Sequence, residues 1–242
     1  MSASLKDVAA IVLASRGGAR LERSLDSVAW AGERIVLDPA GRLGAEPLPQ
    51  GVLRGGDPAQ AAAAPWLLLL EENEAVEAPL AAAIAGAVDA PAARAYRIAQ
   101  EVIAFGTTLR LRRAPVRLAL RAGARLRLRS GHAPELAHDG GRAPELGACL
   151  VTHGAPTLAA AVEELDAQAT TLATLLYVRR VRPRLWRLLV PSLVASGRAL
   201  VARGPVRGLW GRWTLAVLAG YRPLVAYAKL WEMHRQEAAR PR

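Results

Sequence analysis

The chain has one cysteine, Cys149, one phenylalanine and two lysines, Lys6 and Lys229, among 242 residues. A single thiol excludes an internal disulfide framework and any zinc site built on cysteines. Cys149 sits in the apolar run "LGACLV", where a small buried thiol is expected. With so little Phe, a core must be assembled from many small aliphatic contacts of Ala, Leu and Val. No uncharged run reaches the ~18 to 20 residues that a spanning helix needs. The first residues, "MSASLKDVAAIVLAS", hold no charged segment ahead of an apolar one and no cleavage signal, so a cytoplasmic location is expected. There is also no Gly-x-Gly-x-x-Gly pattern, so a dinucleotide fingerprint is missing.

What is abundant is arginine. The formal charge of +11 is carried almost wholly by it. Such a surface suits phosphate-rich partners, whether a nucleotide, an anionic membrane face or nucleic acid. An arginine excess also follows from a GC-rich genome, and no nucleic-acid-binding module is recognisable, so nucleic acid ranks last among these partners.

Along the chain, "VAAIVLA" (8–14) reads as a buried parallel strand. A Gly-bearing loop, an amphipathic helix over 19–29 and a strand "ERIVLD" (33–38) follow. Residues 39–58 are dense in Gly and Pro, with one short strand expected around Val52. "AQAAAA" (59–64) is a short helix candidate, "WLLLL" (66–70) a buried strand, and "APLAAAIAGAV" (78–88) a helix with Pro79 in its first turn. This alternation predicts an α/β fold with a mostly parallel sheet. From Arg94 the texture changes to period-two strands with a strongly basic wet face, and a long amphipathic helix is expected over 157–176. The tail from Tyr177 mixes arginines with Trp and Leu. Two readings of it stand: an interfacial, membrane-surface segment, or helices packed on the domain with basic outer faces.

Taken in order, these pieces resemble the family 2 glycosyltransferases of GT-A fold, in particular the bacterial branch that adds glucose to the lipopolysaccharide inner core. "SVAWAGERIVLDPAGRL" (27–43) is similar to that branch's "SVxWADEIVVxDSGSTD", and "WLLLLEENE" (66–74) to its "WVLxLDADE". "AYRI" (95–98) and "FG" (105–106) fit its crossing strands. "PVRLALR" (115–121) looks like "PxRLFRR", "GHA" (131–133) stands where "VHE" is found, "LGACLVTH" (146–153) resembles "GxLxH", and "AKLWE" (228–232) matches "AKLxE". The resemblance implies a Rossmann-like nucleotide-diphospho-sugar transferase domain over 1–156, with a nucleotide-sugar half (1–92) and an acceptor half (93–156). A basic helical appendage over 157–242 would follow.

The resemblance further implies hexosyl transfer from a nucleotide sugar to a glycan or glycolipid acceptor, at the inner face of the bacterial cytoplasmic membrane. By the same likeness Asp38 would contact the nucleoside, or only cap its turn. Glu71 and Asn73 stand where the family's metal motif has two aspartates, and would hold Mg²⁺ or Mn²⁺ less firmly, since Asn offers only a neutral oxygen. Otherwise Glu71, Glu72 and Glu74 simply meet a helix dipole. Arg117 and Arg121 would bind the diphosphate or an anionic acceptor. His132 and His153 would serve the acceptor site, and Glu135 would replace the base lost at Ala133. Arg16, Leu43, Asn73 and Ala133 all depart from the family pattern. The rival expectation is therefore a protein that keeps the fold without the reaction and acts by binding or scaffolding.

Overall fold

The computed structural model describes residues 3–44, 48–49, 51–55, 61–104, 107–110, 114–127, 135–139, 141–155, 157–201 and 209–239. Its centre is β1 (Val8–Leu13), buried at every residue. β1 pairs in parallel with β2 (Glu33–Leu37) on one side and with β4 (Trp66–Glu71) on the other. β3 (Val52–Gly55) extends this parallel half beyond β2. Strands flanked on both sides and covered on both faces need unbroken apolar sequence, which "VAAIVL" and "WLLLL" supply.

Alternate residues of these strands serve opposite layers. Val8, Ala10, Val12, Leu68 and Leu70 pack under α1 (Ala19–Ser27) and α2 (Ala78–Asp89), against Leu21, Leu25, Leu80 and Ile84. Ala9, Ile11, Leu13, Leu67 and Leu69 face the other layer with Leu126 and Leu136, and Leu175 packs on it. Leu67 to Leu70 are each fully buried, and each such side chain contributes about 2 kcal/mol of transfer free energy. The connection into β2 passes very close to the N-terminal turn. A Cβ on Gly32 would lie 2.0 Å from the carbonyl oxygen of Lys6, so only glycine fits there.

The second half of the sheet is mixed. β8 (Val116–Leu120) runs antiparallel to β4. β6 (Ala95–Ala104) follows antiparallel to β8, with β11 (Glu145–His153) parallel to β6. β5 (Glu74–Ala75) closes the edge on β11, β7 (Thr107–Arg110) lies on β6, and β9 (Arg125–Arg127) with β10 (Glu135–Ala137) form a separate ribbon. The parallel arrangement expected from the alternating first half thus holds for β1 to β4, and the period-two strands contribute to a mixed remainder, in which β8 is antiparallel to both neighbours and β11 is parallel to β6. The molecule is an α/β protein compatible with a Rossmann-like fold. Of the short helix expected over 59–64, residues 59 and 60 lie outside those described, Ala61 is helical, and residues 62–64 are not but form a connection into β4.

Among the described residues, three helices follow β11. α3 (Leu158–Val178) starts at Thr157, whose hydroxyl accepts the Ala160 amide at 3.2 Å. α4 (Leu185–Val201) and α5 (Leu209–Ala239) follow. α5 buries Ala226, Tyr227 and Leu230 against Ala169, Leu172, Ala173 and Leu176 of α3. It crosses α4 at Gly220, where a Cβ would meet the Ser196 hydroxyl at 2.3 Å. Among the described residues no helix is long and apolar enough to cross a membrane.

Candidate functional site

In the strand order β3-β2-β1-β4 the chain leaves β1 toward one side and later returns to its other side at β4. The loops after β1 and β4 therefore face each other at the carboxyl ends, which is where open α/β sheets place ligands. Here those loops are Ala14–Gly18 and Glu71–Asn73.

They are fastened together. The Glu72 carboxylate accepts the amide N–H of Ser15 at 2.7 Å, of Arg16 at 2.9 Å and of Gly17 at 3.1 Å, and also the Ser15 hydroxyl. Consecutive amides before a helix form a concave anion site. In this protein its occupant is the chain's own carboxylate, only 2% exposed.

The acids beside Glu72 are engaged too. Both Glu71 oxygens face the guanidinium of Arg222 from α5, with Nη2 to Oε1 at 2.9 Å and Nη1 to Oε2 at 3.4 Å. Glu74 accepts Nη2 of Arg117 at 2.8 Å, the Gln100 amide, and the Glu71 backbone N–H at 2.8 Å. Asn73 donates its amide to Oε1 of Glu164 at 2.9 Å, and the other Glu164 oxygen lies 2.5 Å from Nη1 of Arg20.

Burial tends to raise the carboxyls of Glu71, Glu74 and Glu164, and the outcome depends on the cations nearby. For Glu71 the charges of Arg222 and Arg117 outweigh burial and hold the carboxyl below its ordinary value. For Glu74 burial wins over Arg117, helped by repulsion from Glu71, so its carboxyl is raised. Glu164 is also raised by burial, against the pull of Arg20 and Asn73 and with the Glu72 charge adding to it.

The space left is small. A cavity of about 10 Å³ remains between Ser15, Glu71 and Glu72 on the sheet and Gln168, Leu172 and Arg222 on the helices. That holds about one water, whereas small-molecule sites occupy roughly 300–1,000 Å³.

The donor set does not fit a divalent cation. Glu71, Glu72 and Glu74 all spend their oxygens on protein donors, and Asn73 Oδ1, a neutral oxygen, is the one left without a partner. Hard divalent ions favour several charged oxygens and retained waters. Among the described residues no three of His, Cys, Asp and Glu converge as a metal group.

The other expected site residues are scattered. The Asp38 carboxylate accepts the amides of Arg42 at 3.0 Å and Leu43 at 2.9 Å, so it caps its own turn. Arg117 is fully buried on β8, where it pairs with Glu74, while Arg121 is exposed just past that strand. Glu135 stands on the ribbon, 4.0 Å from Nε of Arg127. His153 ends β11 beside the acidic turn, its amide donating to the Asn73 carbonyl at 2.9 Å. His132 lies outside the described residues.

Several residues that build the site escaped the reading of motifs. Arg222 is a lone charge in the apolar stretch "LAVLAGYRPLVAY", a signal for a buried partner. Glu164 and Gln168 fall on the helix face that carries Ala161, Thr171 and Leu172, all buried. Polar residues on an apolar stripe call for partners in the interior. No family model matches this chain, and no curated protein is recognisably similar to it in sequence.

Proposed function

We propose that this chain is a non-catalytic protein of GT-A fold, related to the family 2 glycosyltransferases, that serves surface-glycan assembly by binding or scaffolding. The observation that carries this reading is the occupation of the donor crevice by the chain's own charges. Glu72 fills the amide nest where a ligand's phosphate would lie. Arg222 stands as the cation on Glu71, at the position the family gives to a metal. Support for the family comes from the strand order, from "EENE" at the carboxyl end of β4, and from "AKLWE" lying on the helix that closes the crevice.

An active transferase needs the reverse arrangement. It requires room for a nucleotide sugar, a divalent ion to offset charge on the departing diphosphate, and a carboxylate free to take the acceptor's proton. Glu135, the candidate base, lies on the separate β9–β10 ribbon. A nucleotide sugar could enter only if α5 carried Arg222 away from Glu71.

Titration calorimetry with uridine-diphosphate sugars, with and without Mn²⁺, tests the reading alongside an assay for sugar transfer or hydrolysis. The expected result is no Mn²⁺-dependent heat and no turnover. Metal-dependent binding accompanied by turnover would replace the proposal with the transferase reading.

A further inference from the structure

We infer that the outward stripe of α4 is a docking face for an anionic lipid bilayer, on which the helix lies parallel to the surface. Trp186, Leu189, Val190, Leu193, Val194 and Val201 are between 38% and 71% exposed. Their spacing of three, four and seven residues places them on one arc of about 140°. Gly197 falls on the same arc, and a Cβ there would meet nothing within 4 Å. No charged residue interrupts the stripe. The opposite side of α4 is used for packing, with Pro191 buried and Ser192 and Ser196 meeting α5 at Gly220.

Charge identifies the occupant. Residues 177–242 contain fourteen Arg and Lys against two Glu, while residues 1–176 contain eighteen against nineteen acids. The whole positive excess of the molecule therefore lies in the segment that carries the stripe. Arg179, Arg180 and Arg184, all exposed, lead directly into α4. An uncharged apolar arc with arginines at its border matches acyl chains beneath anionic headgroups. A second copy of this chain would bring two strongly positive tails together, at a cost in repulsion. Nucleic acid would need the cations inside the contact rather than beside it. At 17 residues, with Pro191 in its middle, α4 is also too short to cross a bilayer, so lying on it is the arrangement available.

The tail surface is separate from the crevice between β1 and β4, and either reading can fail without the other. The test is flotation of the full chain with phosphatidylglycerol-rich vesicles and with pure phosphatidylcholine vesicles, at low and high salt. The expected result is flotation with the anionic vesicles, weakened by salt and absent with the zwitterionic ones. The double variant V190E/L193E changes two exposed positions and is expected to keep the wild-type circular dichroism and urea midpoint. Its partitioning should fall at least about tenfold. Failure of the wild type to float on anionic vesicles, or equal flotation of the folded variant, would overturn the inference. So would sedimentation showing a wild-type dimer that the same variant splits, because the stripe would then be a self-interface.

Discussion

Arg222 of α5 sets its guanidinium 2.9 Å from the carboxylate of Glu71 at the end of β4, joining residues 151 positions apart. The pair is mostly buried, at 18% and 10% side-chain exposure. Removing one partner from such a pair leaves a charge without compensation, at a cost of roughly 3–5 kcal/mol, whereas an apolar replacement of both is close to neutral. Arg222→Met is therefore expected to lower stability by about 3 kcal/mol. The double variant R222M/E71L should recover most of that loss, measured by urea unfolding.

The same pair gives a pH dependence with a definite sign. The Glu71 carboxyl lies below its ordinary value of 4.5 in the folded state. Its contribution to stability is thus fully present above 4.5 and is lost as pH falls through the folded value. The difference in unfolding free energy between wild type and Glu71→Gln should be constant near neutrality and should shrink below about pH 4.5. A gap that instead widened on acidification would contradict the lowered carboxyl. Glu74 and Glu164, whose carboxyls are raised, contribute in the opposite sense, most fully below 4.5 and less as pH rises through their folded values.

Among the described residues, Glu74 and Arg117 form the most buried ion pair, at 1% and 0% exposure. Their two truncations should not cost the same. Without Arg117, Glu74 can take up a proton and become neutral. Without the Glu74 charge, Arg117 has no such escape, because a guanidinium does not deprotonate in proteins. Arg117 already leaves Nε and Nη1 without partners. Glu74→Gln is expected to be more destabilising than Arg117→Met, by about 1 kcal/mol or more in chemical denaturation.

Glu72→Ala empties the amide nest of residues 15–17 while leaving its N–H groups in place. A loss of roughly 1–3 kcal/mol is expected from the unsatisfied donors. Because the vacated nest favours anions, added inorganic phosphate should raise the melting temperature of the variant and leave that of the wild type nearly unchanged. Differential scanning fluorimetry over a phosphate series decides it. Equal responses of the two proteins would show that the nest is not an anion site.

Much of the α/β layout could be read in advance because its signals are local. "VAAIVL" and "WLLLL" are apolar at every position, as strands buried on both faces must be, and the helix over 158–178 announces itself by spacing. The site was less legible because its partners are remote. Nothing near Glu71 in the chain points to Arg222, and nothing near Glu72 reveals that the loop after β1 will present three amides to it. Asp38 was equally ambiguous, since capping a turn and holding a nucleoside ask for the same side chain at the same place. The Glu72 contact needed the pairing of β1 with β4, which brings the two loops together. The Glu71 contact needed the docking of α5. Asp38 is decided by its own turn, where it accepts the amides of Arg42 and Leu43.

Two polar anchors along the axis of α5 tie it to the rest of the protein. Lys229 lies 2.7 Å from Oδ1 of Asp166 and 2.7 Å from the Thr170 hydroxyl, both on α3, and Arg222 holds Glu71. The two anchors are two helical turns apart, about 10.5 Å along the axis. A helix pinned at one point can swivel, and a helix with none can slide by a turn. With two pins of opposite address, one on the sheet and one on α3, a shift in register misaligns both at once. Sliding of α5 along its own axis is therefore opposed by the sheet anchor and the helix anchor together.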